Sequence, residues 1–238
     1  MIQAITFDFW NTLFAAVNAR ELRRQQIQQA LERAGYVDVT ATHIERAVGH
    51  ALEEWNRVWQ EEQRTFGAPR WVSLVLSELG VNLAEPEQAA LIHAVANSGT
   101  IVNPPLVDEL ADVLPRLSQY YRLGVICDTG LSPGWMLRQQ MASHGILRCF
   151  DHLTFSDELG VSKPHPDAFL TTLAKLGVPP QAAVHIGDFP RTDIAGARSV
   201  GMRAIRFTGV HDRPDGAIRA DANIASYSEL EPLLEKWR

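Results

Sequence analysis

Residues 2–13 read IQAITFDFWNTL, an apolar stretch that ends at Asp8 and continues into the polar pair Asn11-Thr12. This pattern predicts a buried strand that stops at a turn. Further apolar strands are predicted at 123–127, 152–155, 182–186 and 204–207. Helices are predicted between and after them, at 107–120, from Ser132 onward, at 166–176, at 192–200 and at 229–237, with a polar loop at 211–223. Strands that alternate with helices in this way predict an α/β fold with a doubly wound parallel sheet.

The part of the chain that follows the first predicted strand has a different pattern. Apolar residues recur at helical spacing, and no strand pattern interrupts them. The stretch Asn103-Pro104-Pro105 then marks an exit, because consecutive prolines stiffen a connector and cannot continue a helix. We therefore predict a smaller all-helical domain at 17–100, inserted into an α/β core formed by 1–16 and 101–238.

Composition and charge restrict the partners. The chain has 238 residues and a formal net charge of −6, from 22 lysines and arginines against 28 aspartates and glutamates. Nucleic acids and anionic membranes bind clustered positive charge, so we expect neither as a partner. No apolar run approaches the ~18 residues of a membrane span, no basic leader precedes the first strand, and two cysteines form no disulfide framework. We expect a cytoplasmic protein, either a monomer or a homodimer.

Acidic residues stand at the ends of three predicted strands. Asp8 ends the first strand, Asp128 follows the second, and Asp188 follows the strand at 182–186, with Asp193 five residues later. Lys163 lies in the loop after the strand at 152–155. Ligands of open parallel sheets bind where strands end, and carboxylates gathered there repel one another unless a cation lies among them. Mg²⁺ prefers such oxygen ligands, so the pattern predicts a magnesium site with a lysine beside it.

Four segments together resemble the four motifs, in order, of the haloacid dehalogenase-like (HAD) hydrolase superfamily. They are residues 7–13 (FDFWNTL), Cys127-Asp128, Ser162-Lys163-Pro164 and residues 187–193 (GDFPRTD). Each segment alone is a weak signal, but four in order, each at a predicted strand end or adjoining loop, are specific. The resemblance implies a Rossmann-like core with a helical cap inserted after the first motif, where the all-helical stretch falls.

The resemblance also implies a role for each matching residue. Asp8 would be the nucleophile that forms an aspartyl-phosphate, and Lys163 would orient it and stabilise charge. Mg²⁺ would be bound by Asp8, by the backbone carbonyl of Trp10 and by Asp188, with Asp193 as a further ligand or a supporting partner. The end of the second strand would hold the phosphate, through Cys127, Asp128 and Thr129 together with Lys163.

This chain departs from the family pattern at two positions. Phosphatases of the family usually carry a second aspartate two residues after the nucleophile, as general acid and base, and here that residue is Trp10. An indole donates a hydrogen bond but shuttles no proton at neutral pH. Four outcomes are open: slow turnover, substrates with good leaving groups, a proton donor from the helical stretch, or no catalysis. The end of the second strand usually reads Ser or Thr followed by Asn, and here it reads Cys127-Asp128. Asp128 would repel a phosphate dianion unless it turned away or bound the cation.

Three functions follow from these features. The favoured one is a Mg²⁺-dependent hydrolase that acts on a small phosphorylated metabolite. The second is a binding or regulatory protein that keeps the fold and hydrolyses nothing at a useful rate. The third is a 2-haloacid dehalogenase, since that branch of the family also lacks the second aspartate; it needs no metal, however, and it lacks the full acidic motif that this chain has at Asp188 and Asp193.

The helical stretch carries the residues that would select a substrate. Its arginines are interpreted mainly as a solvated face, although one of them could reach the cleft as a clamp for a phosphate or carboxylate: Arg20, Arg23, Arg24, Arg64 and Arg70. Trp55 and Trp59, four residues apart, are interpreted as helix packing. His185 lies within an apolar strand and is interpreted as a core histidine with its hydrogen bonds satisfied.

Overall fold

A computed structural model describes residues 1–212 and 216–237. Its centre is one sheet of six strands, and every pairing in it is parallel. The strands are β1 (Ala4–Phe7), β2 (Arg122–Cys127), β3 (His152–Phe155), β4 (Ala183–Gly187), β5 (Arg203–Phe207) and β6 (Ala222–Ile224). Their order across the sheet is β3-β2-β1-β4-β5-β6. The predicted α/β fold with a doubly wound parallel sheet is confirmed.

Four helices follow β1 before the chain returns to the sheet. They are α1 (Arg20–Arg33), α2 (Ala41–Glu62), α3 (Ala68–Leu79) and α4 (Glu85–Val102). We call residues 20–102 the helical segment. Its apolar side chains, among them Ile27, Val48 and Val75, form a buried cluster of their own, separate from the clusters that cover the sheet. The segment thus buries its own apolar surface, as a small domain does.

The remaining helices pack on the two faces of the sheet. They are α5 (Leu110–Leu117), α6 (Gly134–Ser143), α7 (Ser156–Leu159), α8 (Pro166–Leu176), α9 (Ala195–Ser199) and α10 (Leu230–Lys236). One apolar cluster contains Phe7 of β1 with Leu114 of α5, and the other contains Ile126 of β2 with Phe169 of α8. The sheet is therefore buried on both faces, which explains why its strands read as short apolar runs.

The sheet order places β1 between β2 and β4. Phe7, the last residue of β1, is in register with Val125 of β2 and with Ile186 of β4. The chain segments that leave these three strands therefore start side by side, at the point where the strand order reverses. This is where open α/β sheets bind ligands.

The strand β6 departs from the sequence prediction, which has a loop at 211–223. It has three residues and pairs only with β5 at the edge of the sheet. Such a short edge strand has no apolar run to mark it in the sequence. Residues 213–215 of the predicted loop lie outside the described residues. Within the described residues, none of the helices is both long and apolar enough to cross a membrane.

Candidate active site

A buried lysine joins two of the predicted acids. The Lys163 Nζ atom lies 2.5 Å from Asp8 Oδ1 and 2.7 Å from Asp193 Oδ1. Lys163 is 2% exposed, and Asp8 and Asp193 are 7% and 1% exposed. Hydrogen-bonded ion pairs of this kind fix both side chains in place, because a buried charge left without its partner is strongly destabilising.

The local backbone explains how Asp8 reaches this position. Its amide donates to the Ile186 carbonyl at 2.8 Å, which continues the β1–β4 pairing by one residue. The chain then turns at Asn11, whose φ of 55° lies in the left-handed region that Asn tolerates better than most residues. The turn is held from the other end of the chain, because the Tyr227 hydroxyl donates to the Thr12 carbonyl at 2.9 Å.

Asp193 is held by three protein donors. Its Oδ1 atom accepts from Lys163 and lies 3.2 Å from His185 Nε2, and its Oδ2 atom accepts from the Phe189 amide at 2.9 Å. Burial acts to raise the pKa of Asp193, but the Lys163 ammonium and the His185 hydrogen bond outweigh burial and hold the pKa at about 2. Asp193 is therefore ionised at neutral pH.

His185 has the core role expected from the sequence. Its Nδ1 atom lies 2.9 Å from the Thr6 hydroxyl, and its Nε2 atom faces Asp193. Burial lowers the pKa of this histidine, although Asp193 acts in the opposite direction. Both ring nitrogens are thus engaged, and the ring supports Asp193 from below the site.

Gly187 makes room for this arrangement. A Cβ atom built at this position would lie 2.3 Å from Asp193 Cγ. Real Cβ atoms do not approach so closely, so any larger residue would push Asp193 away from Lys163. The glycine of the GDFPRTD segment therefore serves the packing of the acidic residue six positions later.

The acidic side chains fit a divalent cation. One carboxylate oxygen each from Asp8, Asp188 and Asp193 lies within 4.8 Å of the others. Burial raises the pKa of Asp8 well above its usual range, with Asp193 and Asp188 acting in the same direction and Lys163 opposing them. Three carboxylates thus face one ammonium, and the negative excess in an all-oxygen donor set suits Mg²⁺.

Trp10 and Asn11 complete the loop next to this cluster. Trp10 is half-buried, and its ring meets the Phe9 ring edge-on at a centroid distance of 4.9 Å. The Asn11 Nδ2 atom donates to Asp188 Oδ2 at 3.4 Å. Trp10 lies two residues after Asp8, but its indole adds no proton-transfer group to the site.

The residues at the end of β2 have three different environments. Asp128 Oδ1 accepts from the Lys163 amide at 2.8 Å, so Asp128 borders the acidic cluster. Burial raises the pKa of the Cys127 thiol well above its usual range, and Cys127 is therefore a neutral buried thiol. The Thr129 hydroxyl donates to Asp157 Oδ1 at 2.9 Å, and the Thr129 amide donates to the Ser156 hydroxyl at 2.8 Å. Phosphate contact through Thr129 would break hydrogen bonds that are present here.

Trp59 is a contact between the helical segment and the site that the sequence did not predict. Its Nε1 atom donates to Asp128 Oδ2 at 2.9 Å, and its ring stacks on Phe189 at 5.8 Å with an interplanar angle of 20°. Trp55 stacks on the other side of Trp59, at 5.7 Å. Trp55 and Trp59 lie four residues apart on α2. This spacing did not indicate that Trp59 contacts the residues that follow β2 and β4 instead of packing only within the helical segment.

A cavity of about 270 Å³ lies between the helical segment and the core. Trp10 and Asp128 line it from the core side, and Arg23 and Trp55 line it from the helical segment. Since Asp128 is bonded to the backbone of Lys163, the cavity adjoins the acidic cluster. Clefts in this position, between two packed units of a protein, are frequent ligand sites.

The family of this chain follows from its match to a family model and to known proteins. The model for haloacid dehalogenase-like hydrolases matches residues 2–201. The chain belongs to the haloacid dehalogenase-like hydrolases. The resemblance drawn from the four motifs is thereby confirmed, and the chain is an enzyme of the hydrolase class.

Relatives of this hydrolase include named phosphatases and a dehalogenase. Glyceraldehyde 3-phosphate phosphatase from Pyrococcus abyssi is 35% identical over 218 residues, which cover 87% of this chain and 82% of the relative. The enzyme of that name from Methanothermobacter thermautotrophicus is 33% identical over 86% of this chain and 85% of the relative. Among solved structures, 2-haloacid dehalogenase from Pseudomonas syringae pv. Tomato DC3000 is 25% identical, with a TM-score of 0.71 over 100% of both chains.

Proposed function

We propose that this hydrolase cleaves small phosphate monoesters with Mg²⁺, through an aspartyl-phosphate formed on Asp8. The observation that carries the proposal is the buried cluster in which Lys163 holds Asp8 while Asp188 and Asp193 crowd the same point. Relatives that cover most of the chain are named glyceraldehyde 3-phosphate phosphatase, which supports a phosphorylated metabolite as the substrate class.

The proposed reaction uses Asp8 twice. With Oδ1 bound by Lys163, Oδ2 attacks the phosphorus atom, a new Asp8–phosphorus bond forms, and the bond from phosphorus to the ester oxygen breaks. The alcohol leaves after its oxygen takes a proton from solvent. Water then attacks the acyl-phosphate, releases inorganic phosphate and regenerates Asp8. Positioning and charge stabilisation account for most of the catalysis in such transfers.

The carboxylates divide into two roles in this proposal. Asp8, Asp188 and the Trp10 carbonyl would hold Mg²⁺, which would neutralise the charge on the transferred phosphoryl group. Asp193, whose two oxygens already accept three hydrogen bonds, instead positions Lys163. Asp128 and Trp59 border the phosphate position, and the helical segment acts as a cap over the α/β core. The sequence predicts this core at 1–16 and 101–238, and α4 moves the end of the segment to Val102.

The first test measures hydrolysis of para-nitrophenyl phosphate with and without Mg²⁺, in the wild-type protein and in Asp8→Asn. We expect the rate to fall by about 1,000-fold or more in the variant, because the amide is no nucleophile. Removal of Mg²⁺ with a chelator is expected to have a comparable effect. Equal rates in the two proteins would contradict the proposal.

The second test concerns the missing proton donor at Trp10. An aryl ester leaves without prior protonation, so we expect it to be cleaved far faster than an alkyl phosphate. Trp10→Asp is expected to raise kcat on the alkyl ester by about 10- to 100-fold and to leave the aryl ester nearly unchanged. Trp10→Asn, which cannot transfer a proton, is the matched control. An equal gain in kcat on the alkyl ester in both variants would show that the smaller side chain, and not proton transfer, causes the gain.

Dehalogenation is the second candidate function. It is favoured by the full-length similarity to 2-haloacid dehalogenase and by Trp10, because attack on carbon needs no proton donor at that position. Chloride release from 2-chloropropionate in the presence of a chelator would support it, and strict dependence on Mg²⁺ would exclude it. A protein that turns over neither class of substrate would be the binding or regulatory form. The cytoplasmic location and the choice between monomer and homodimer stay predictions.

A further inference from the structure

One arginine of the helical segment lies in the wall of the cavity. Arg23 stands at the end of the first turn of α1 and is among the residues that line the cavity. Its Nε atom donates to the Ser98 hydroxyl of α4 at 2.8 Å, and that hydroxyl donates in turn to the Val95 carbonyl at 2.7 Å. Ser98 is fully buried. The guanidinium is therefore held at its Nε edge by a fixed partner, and its two terminal nitrogens have no acceptor among the described residues, so they can serve as a fork.

The neighbouring arginines of α1 are neutralised within the protein, and Arg23 is not. Arg20 and Arg24 both pair with Glu45. Within residues 1–212 and 216–237, by contrast, no carboxylate pairs with Arg23. Burial lowers the pKa of its guanidinium to about 10, and no acidic neighbour offsets this effect. A half-buried cation without a counter-ion is expensive, and a bound anion would compensate for it.

The rest of the cavity limits the kind of anion. The wall includes one carboxylate, Asp128, and is otherwise largely apolar or neutral, with Trp10, Val17 and Trp55 among its members. Beside Asp128, a phosphate dianion would add two negative charges against the one cation, Arg23, whereas a carboxylate would add one. The two oxygens of a carboxylate also match the fork of the guanidinium. The cavity volume of about 270 Å³ leaves room for a short carbon chain.

We propose that Arg23 binds a carboxylate of the substrate, so that the natural substrate is a phosphate monoester of a small carboxylic acid. This inference rests on the proposed function, since it assigns the far end of the ester that Asp8 would attack. Arg23 is then the specificity-determining residue: its fork anchors the acid group, while Lys163 and the Mg²⁺ that the acidic cluster would bind hold the phosphoryl end.

The test compares 3-phosphoglycerate with glycerol 3-phosphate, which differ by a carboxylate in place of a hydroxymethyl group. Affinities are measured by calorimetry with Mg²⁺ in the Asp8→Asn protein, so that no turnover is needed. We expect 3-phosphoglycerate to bind at least tenfold more tightly. When Arg23→Gln is added to the Asp8→Asn protein, we expect the affinity for 3-phosphoglycerate to fall by about 10- to 100-fold. The affinity for glycerol 3-phosphate is expected to fall by less than threefold.

Two controls separate charge from structure. Arg23→Lys keeps the charge without the fork and is expected to recover part of the lost affinity. Arg33→Gln removes an exposed arginine from the other end of α1 and is expected to change neither affinity. Equal losses for both ligands in Arg23→Gln, no loss for either, or no binding of either ligand to the Asp8→Asn protein would each overturn the proposal.

Steady-state kinetics of the protein with Asp8 intact distinguish this proposal from the broader one. If the carboxylate preference appears in binding but neither ester is hydrolysed, the Arg23 assignment stands and the phosphatase function fails. If both esters are hydrolysed with equal kcat/KM, the function stands and the Arg23 assignment fails. Where both hold, Arg23→Gln raises KM for 3-phosphoglycerate and leaves kcat within about threefold, because the guanidinium lies away from the reacting bond.

Discussion

The acidic cluster and the cavity beside it differ in whether their buried cation has a carboxylate partner. In the cluster, Lys163 is paired with Asp8 and Asp193, and Asp193 has two further donors. In the cavity, Arg23 has the Ser98 hydroxyl as its partner and no carboxylate among the described residues. The first region therefore pairs its one cation within the chain and keeps an excess of negative charge. The second region leaves its cation without a counter-charge from the described residues. In the function proposed above, the first region would serve the reaction and the second would select among esters.

The largest effect is expected when the paired charge of the cluster is removed. Lys163→Met keeps the length of the side chain but leaves the carboxylates of Asp8 and Asp193 buried without their ammonium. We expect a loss of about 3–5 kcal/mol in the free energy of unfolding and a fall in kcat of about 1,000-fold. Urea denaturation without divalent cations measures the first quantity. An unchanged unfolding midpoint would mean that the cluster tolerates its own repulsion.

A smaller loss of stability and activity is expected when Asp193 is displaced but the charge of Lys163 is kept. Gly187→Ala places a methyl group against the Asp193 carboxylate, and β4 lies within the sheet and cannot move away. We expect about 1–3 kcal/mol of destabilisation, together with a fall in kcat. Gly49→Ala is the control, because Gly49 lies within α2 with open space around it, and there alanine should stabilise by up to ~1 kcal/mol. Similar losses at both glycines would argue against a specific clash.

The smallest effect is expected at Arg23. Arg23→Met removes a cation that has no buried counter-ion, so no carboxylate is left unpaired, and Ser98 keeps its bond to Val95. We expect the free energy of unfolding to fall by no more than ~0.5 kcal/mol, because the cost of burying an unpaired cation is removed with it. The same denaturation measures this quantity. A loss as large as that of Lys163→Met would erase the difference between the two regions.

Local pattern was sufficient to predict the sheet and the acidic cluster. Asp8 directly follows β1 and Asp188 directly follows β4, and a parallel sheet brings the ends of such neighbouring strands together without further information. The edge strand β6 was missed because three residues carry no periodicity.

The helical side of the site could not be predicted in the same way. Nothing in the sequence distinguishes Arg23 from the other arginines of the helical segment, because only the packing of α1 on α4 separates it, through Ser98, from Arg20 and Arg24. Trp59 likewise was predicted to pack within the segment, but it contacts Asp128 and Phe189. Both outcomes depend on how a helical segment sits on a sheet, and this is a property of tertiary packing rather than of spacing along the chain.

The aromatic stack of Trp55, Trp59 and Phe189 gives the protein a built-in optical probe. The Trp55 and Trp59 ring centroids lie 5.7 Å apart at an interplanar angle of 27°. The Trp59 ring also stacks on Phe189, which lies in the loop after β4. Indoles this close couple their electronic transitions, so the near-ultraviolet circular dichroism of this protein carries a signal from the boundary between the helical segment and the sheet. Any movement of the helical segment away from the sheet would change that signal. Such a movement on ligand binding can therefore be followed without an attached dye.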